Sequence, residues 1–202
     1  MSYITKLKLS PVTNLADARF AAAAGIEYIG FCLNPNDADF ILPIKAKEIL
    51  DWISGSHAIA YFGNQDLDEI ISLSELLHMD VVALENAILP DELPQIGKSI
   101  IKVIDISSQQ LDFITREIAA YQAYADSFEL KGEWHEGLNI EALKHLCLNH
   151  KIFLNLSIKG YSTRELLTQI QPYAWHVSGG KEEKTGLKEY DELNDLLEQL
   201  KK

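Results

Sequence analysis

The chain has 202 residues, of which 47% are hydrophobic and 24% are charged, and its formal net charge is −12 at pH 7. That length and apolar content suit one compact domain with a sizeable core. The negative charge repels phosphate backbones, so we expect no nucleic-acid partner, and no run approaches the roughly 20 apolar residues that a membrane span requires.

Short β-branched or aromatic runs alternate with stretches of helical periodicity from one end of the chain to the other. The predicted strands are residues 4–9, 28–33, 58–62, 81–84, 100–106, 127–130, 152–156 and 174–177. The segments that follow them, all predicted helical except the short fourth one, are residues 15–24, 44–53, 67–77, 89–96, 111–123, 140–148, 164–170 and 187–200.

Residues at the predicted helix starts agree with this pattern. Asn14 is placed to cap the first helix, and Pro43 stands in a first turn, where a proline is tolerated. Ser162 and Glu165 have the spacing of a capping box. The alternation therefore predicts consecutive βα units with short connections.

Eight βα units in series favour a single-domain (β/α)₈ TIM barrel over residues 1–202 with eight parallel strands, although a doubly wound open sheet would show much the same alternation. In either architecture the chemistry is expected in the loops after the strands. Those loops contain Ser10, residues 34–39, Gly63, Asn64, Glu85, Asn86, Asp105, Lys131, residues 157–160 and residues 178–180.

Cys32 and Cys147 form neither a C-x-x-C nor a zinc spacing, so we expect both to be buried as small hydrophobic residues in a reducing compartment. The N-terminal segment lacks the apolar stretch of a signal peptide, which favours a cytoplasmic protein. The histidines show no metal-binding pattern, and we predict no metal or cofactor. Trp52, Trp134 and Trp175 are predicted to be packing residues.

The first unit carries a resemblance to a known family. Residues 8–18 and 22–25 resemble the opening K-I-C-G-I-T-N-x-x-D-A and A-x-x-A-G of the phosphoribosylanthranilate isomerases of tryptophan biosynthesis. Residues 28–31, 34–35, 43–46 and 80–84 are similar to further segments of that family, and residues 177–179 and 186–189 resemble the stretch that closes its barrel. The resemblance covers nearly the whole chain and implies the TIM barrel.

The resemblance also implies which residues would perform the chemistry. The family isomerises a phosphorylated ribosylamine by an Amadori rearrangement, with a cysteine after strand one as base and an aspartate after strand six as acid. Here those positions hold Ser10 and Lys131. Because each acid or base step contributes about 10²–10⁴ to a rate, losing both predicts little or no isomerase activity.

Binding positions of the family differ as well. Its arginine near strand two corresponds to Asp39, its histidine after strand four to Glu85, and one of its phosphate-binding glycines after strand seven to Ser157. Lys159 in the same loop could supply a compensating charge. The turn after strand eight keeps small residues whose amides could face an anion, namely Ser178, Gly179 and Gly180.

Lys8, Glu129 and Lys131 share a side of their strands if strand parity follows the family. They would then form either a salt-bridged core plug, which we favour, or a reactive layer in which a lysine acts as base or Schiff-base former. Glu85 either adds a carboxylate or is a solvated loop residue.

These observations predict a divergent isomerase-like barrel with little or no isomerase activity and possible weak binding of a small phosphorylated molecule. The alternative is an active enzyme, either a residual isomerase or a barrel with new lysine and carboxylate chemistry. The oligomeric state stays open.

Overall fold

The computed structural model describes residues 2–85, 88–135, 138–157, 161–179, 181–184 and 187–202. Eight parallel strands pair in chain order and the eighth pairs with the first, so the sheet closes into a barrel rather than an open sheet. The strands are Lys6–Leu9 (β1), Tyr28–Cys32 (β2), His57–Phe62 (β3), Val81–Leu84 (β4), Ser99–Asp105 (β5), Ser127–Glu133 (β6), Ile152–Ser157 (β7) and Ala174–Val177 (β8).

Helices cover the outside of this barrel, as a closed parallel sheet requires. They are Leu15–Ala24 (α1), Pro43–Leu50 (α2), Leu67–Leu76 (α3), Leu111–Tyr121 (α4), Ile140–Asn149 (α5), Thr163–Ile170 (α6) and Asp191–Leu200 (α7). A 3-10 helix, Pro90–Ile96, follows β4 in place of an α-helix.

Local sequence explains several helix ends. The Asn14 side chain accepts a hydrogen bond from the backbone N–H of Asp17 and so caps α1, as predicted. Gly25 ends the same helix with φ of 73°, a left-handed conformation that favours glycine. Pro43 begins α2 as predicted. The capping box at Ser162 was wrong, because its side chain makes no capping hydrogen bond.

The last predicted helix was too long at its start. Leu187–Glu189 forms a strand (β10) that pairs antiparallel with Lys181–Lys184 (β9), and α7 begins only at Asp191. Tyr190 explains the boundary, since its ring stacks on Phe20 at 4.4 Å between centroids and its hydroxyl donates to Asp17. These contacts fix Tyr190 outside the helix.

Two predictions of burial were also wrong. Trp52 is 69% exposed, because α2 ends at Leu50 and leaves this residue in the following turn, where it lies under the Arg19 guanidinium. Cys32 and Cys147 are free but only half-buried. A bilayer-crossing helix is absent from the part of the chain that the structure describes.

Inside the barrel, side chains from alternate strand positions form layers. The lower part of the interior is filled by a mostly apolar cluster of Tyr28, Ile59, Val81, Ala83, Ile101, Val103, Phe153 and Ala174, with Tyr61 and Tyr173 packed against it. Closer to the C-terminal ends of the strands, the side chains that point into the barrel are polar. This change from apolar to polar places the candidate site at the C-terminal end of the barrel.

Candidate functional site

A cavity of about 440 Å³ opens at the C-terminal ends of the strands. This volume falls in the usual range for small-molecule sites. Its walls combine carboxylates, hydroxyls, an amide, an imidazole and an ammonium group, contributed by Ser10, Pro11, Gly30, Cys32, Asp37, Asp39, Tyr61, Glu85, Glu129, Lys131, Gly132, Asn155, His176 and Ser178.

Most of the predicted site residues converge on this cavity. The structure brings together Ser10, Asp39, Glu85, Glu129, Lys131 and Ser178. Lys8 lies beneath them, bonded to Glu129. Ser157 is the last residue of β7, while Lys159 and Gly180 lie outside the described residues.

The floor of the cavity is a fully buried ion pair. Lys8 Nζ and Glu129 Oε1 are 2.6 Å apart, and both side chains have an exposed fraction of zero. The other Glu129 oxygen accepts from the Tyr61 hydroxyl at 2.5 Å, and Asn155 donates to Oε1 at 3.0 Å. Lys8 also donates to the Tyr61 oxygen at 2.7 Å. The carboxylate is therefore well satisfied, as a buried charge must be.

The electrostatics of this pair favour its ionised form. Burial alone would raise the pKa of Glu129, but the Lys8 charge and the hydrogen bonds from Lys8, Tyr61 and Asn155 hold it below its ordinary value. Burial lowers the pKa of Lys8, against the opposing charge of Glu129. Burial and Glu129 raise the pKa of Tyr61, which keeps the phenol protonated as a donor.

Lys131 does not join this buried pair. It extends from β6 across the cavity to Glu85 after β4, with 2.5 Å between Nζ and Oε1, and both side chains are partly exposed. Burial would lower the pKa of Lys131, but the hydrogen bond and charge of Glu85 raise it above its ordinary value. Glu85 thus lines the cavity while remaining exposed to solvent, and Lys131 is a paired ammonium group.

A chain of neutral groups crosses the other side of the cavity. Ser10 Oγ lies 3.2 Å from His176 Nδ1, and Ser178 Oγ lies 3.4 Å from His176 Nε2. Gly30 makes room for this arrangement, since a Cβ there would come within 2.7 Å of the Ser10 Cβ and 2.8 Å of the Tyr61 ring. The absence of a side chain at Gly30 therefore allows Ser10 and Tyr61 to pack this closely.

His176 stays uncharged in the folded protein. Burial, followed by the nearby Lys8 charge, lowers its pKa from 6.5 to about 3. A neutral imidazole has one N–H and one acceptor nitrogen, so it donates to one serine and accepts from the other.

This shift predicts a specific loss of stability in mild acid. From pH 6.5 down to about 3 the unfolded chain carries a proton on His176 that the folded chain lacks, so stability falls as the pH falls. His176→Gln keeps polar contacts without titrating. As the pH falls, the free energy of unfolding of the unchanged protein should drop by up to about 1.4 kcal/mol more per pH unit than that of this variant. Urea unfolding between about pH 6 and about pH 5 measures both slopes; parallel slopes would contradict the prediction.

The turn after β8 is bordered by a carboxylate. A Cβ at Gly179 would lie 2.9 Å from Asp17 Oδ1, so the buried Asp17 side chain packs directly against this glycine. Ser178 is exposed at the cavity rim. The Asp17 charge weakens any anion site at the turn, because like charges repel.

Within the described ranges, no group of three or more histidine, cysteine, aspartate or glutamate side chains is arranged to hold a metal ion. Sequence reasoning missed His176, Tyr61 and Asn155 as cavity residues. One signal could have found His176, because polar residues two positions apart, such as 176 and 178, face the same side of a strand.

Comparison with known proteins identifies relatives of the whole chain. The N-(5'-phosphoribosyl)anthranilate isomerase of Aquifex aeolicus is 27% identical over 98% of this chain and 99% of its own length. The enzyme of the same name from Trichlorobacter lovleyi is 26% identical over 97% of this chain and 98% of its own length. No family model matches the chain.

Solved structures agree on the fold. Phosphoribosylanthranilate isomerase from Thermotoga maritima superposes with a TM-score of 0.81 at 19% identity, and that from Thermus thermophilus with 0.77 at 24% identity. Each match covers 97% of this chain and 98% of the other. A further isomerase structure, with a TM-score of 0.78 and 18% identity over 97% of this chain and 98% of its own, is a complex with reduced 1-(o-carboxyphenylamino)-1-deoxyribulose 5-phosphate.

Proposed function

We propose, from the premise that this chain is a divergent member of the phosphoribosylanthranilate isomerase family, that it binds a phosphorylated small molecule in the strand-end cavity without catalysing the Amadori rearrangement. The observation that carries this proposal is the pairing of Ser10 with neutral His176 and of Lys131 with Glu85. The two positions where the family keeps a base and an acid hold an alcohol and a strongly basic ammonium group.

Neither group suits the reaction. A serine hydroxyl is essentially never deprotonated near neutrality, and it becomes reactive only beside an effective base. His176, its neighbour, has a pKa of about 3 and so accepts a proton poorly. The raised pKa of Lys131 makes it a weak proton donor.

Two other cavity residues, Cys32 and Glu129, do not replace them. Burial raises the pKa of the Cys32 thiol to about 11, so this half-buried cysteine is a thiol rather than a thiolate base. Glu129 is engaged by three donors and has no exposed surface. Neither Cys32 nor Glu129 is therefore placed to act as the base for proton abstraction.

The alternative of new lysine chemistry has less support. A Schiff-base lysine must reach the carbonyl of its substrate, but Lys8 is completely buried and donates to Glu129 and Tyr61. Lys131 reaches the cavity, yet its pairing with Glu85 keeps it protonated. The geometry favours binding over catalysis.

Phosphate binding is supported by a relative that is named as a complex with a sugar phosphate and by the small residues after β8. Because Asp17 borders Gly179, we expect weak binding, with Ser178 at the rim as the side chain nearest the anion.

The two free cysteines support a reducing, cytoplasmic location.

The test combines binding and turnover on the purified protein. Ribose 5-phosphate at about tenfold above its Kd should raise the melting temperature by roughly 2–5 °C, while phosphoribosylanthranilate is not converted. Ser178→Asp should abolish the shift by charge repulsion. Ser178→Asn, which introduces an uncharged side chain of the same size as aspartate, should keep most of it. A shift in all three proteins, or with potassium chloride at equal ionic strength, would show a bulk salt effect and contradict the proposed site.

A further inference from the structure

The charges around the cavity do not balance. Four carboxylates line it, from Asp37, Asp39, Glu85 and Glu129, against one lining cation, Lys131, with Lys8 beneath the floor. Both cations are already engaged, Lys8 by Glu129 and Lys131 by Glu85.

Asp37 and Asp39 lie on the rim without a direct ion pair among the described residues. In the described ranges neither has a lysine, arginine or histidine nitrogen within the 4 Å of an ion pair, and Asp37 Oδ1 only accepts from the Asp39 backbone N–H at 2.9 Å. Their field reaches the cavity, because these two charges and that of Glu85 add to the effect of burial in raising the pKa of the Cys32 thiol.

The loop that carries these carboxylates is held in place. The Asn34 side chain accepts from the backbone N–H of Asn36 at 3.1 Å, and the Ile41 N–H donates to the Cys32 carbonyl at 2.9 Å. Gln65 donates to the Leu33 carbonyl at 2.6 Å. A fixed loop presents its charges without a further ordering cost on binding.

We propose that the ligand of this cavity carries a cationic group, such as an ammonium, which lies against Asp37 and Asp39 at the β2 side of the rim. This inference rests on the proposed sugar-phosphate binding and specifies the other end of the same ligand. An anion at that end would meet two unpaired carboxylates and no free described cation, whereas a cation meets complementary charge.

A matched pair of compounds tests the charge preference. The first is reduced 1-(o-carboxyphenylamino)-1-deoxyribulose 5-phosphate, and the second has an aminomethyl group in place of its carboxyl. Calorimetry should show the ammonium compound binding at least about tenfold more tightly to the unchanged protein. Asp37→Asn/Asp39→Asn should bring the ratio of the two Kd values close to one, whereas Glu48→Gln/Glu75→Gln, which removes the same charge from exposed helix positions, should leave it unchanged.

Each of the other outcomes contradicts a different part of the proposal. Equal binding, or tighter binding of the carboxylate compound, overturns the cationic ligand but leaves sugar-phosphate binding standing. A preference that survives in Asp37→Asn/Asp39→Asn overturns the assignment to these two residues. Failure of both compounds to bind overturns the inference together with the proposed function.

Discussion

Replacing Glu129 with Gln is expected to lower the free energy of unfolding by about 3–5 kcal/mol. The change keeps the shape of the side chain but leaves the fully buried Lys8 ammonium group without its counter-charge. Lys8→Met should cost less, because the Glu129 carboxylate would keep its donors Tyr61 and Asn155. Urea unfolding of each variant at about pH 7 gives the two values.

A double variant provides the control. Lys8→Met/Glu129→Gln removes both charges and should recover much of the stability lost in Glu129→Gln alone, because no buried charge is left unpaired. The loss in the single variant should also shrink from about pH 7 to about pH 10, since the isolated Lys8 sheds its proton more readily than the unfolded chain does. A loss below about 1 kcal/mol would mean that water reaches Lys8 and that the floor is not sealed.

Restoring the family's acid and base should create isomerase activity. Lys131→Asp alone would place a second carboxylate beside Glu85, so the variant we propose is Ser10→Cys/Glu85→His/Lys131→Asp, which relieves that repulsion. We expect kcat/KM for phosphoribosylanthranilate to rise by about 10²-fold or more. The unchanged protein should not support growth of an auxotroph that lacks the isomerase.

The control keeps the other changes but replaces Ser10 with Ala, which supplies no thiol and should show no gain. Robust growth with the unchanged protein would show that Ser10 and Lys131 suffice for the reaction and would refute the proposed loss of chemistry. If the triple variant binds ribose 5-phosphate but gains no rate, the missing acid and base are not what limits the reaction.

The barrel was predictable because its signals are local. Each strand and helix carries its own periodicity, and Asn14, Gly25 and Pro43 mark helix ends through contacts with their immediate neighbours. The error at Leu187 arose where contacts between segments decided the outcome, since Leu187–Glu189 pairs with Lys181–Lys184 and Tyr190 is held by Asp17 near the other end of the chain.

The site was less predictable for a related reason. Ser10, Glu85 and Lys131 could be found from their positions after strands, but their partners could not. Closure of the barrel lets Lys131 reach Glu85 across β5, and it brings Tyr61 and Asn155 to Glu129 from two other strands. Registers between strands depend on the packing of the whole sheet, which no single segment specifies.

The two serines that flank His176 are linked through the imidazole. If Ser178 donates its hydroxyl hydrogen to a ligand, its oxygen is free to accept from Nε2–H, and Nδ1 must then accept from Ser10. Ser10 is thereby left to face the ligand as an acceptor only. If Ser178 instead donates to Nε2, Nδ1 carries the hydrogen and Ser10 becomes free to donate. A change of tautomer at His176 thus couples the two serines. Whether Ser10 can donate a hydrogen bond to the ligand depends on how Ser178 is bonded at the rim, and the net charge does not change.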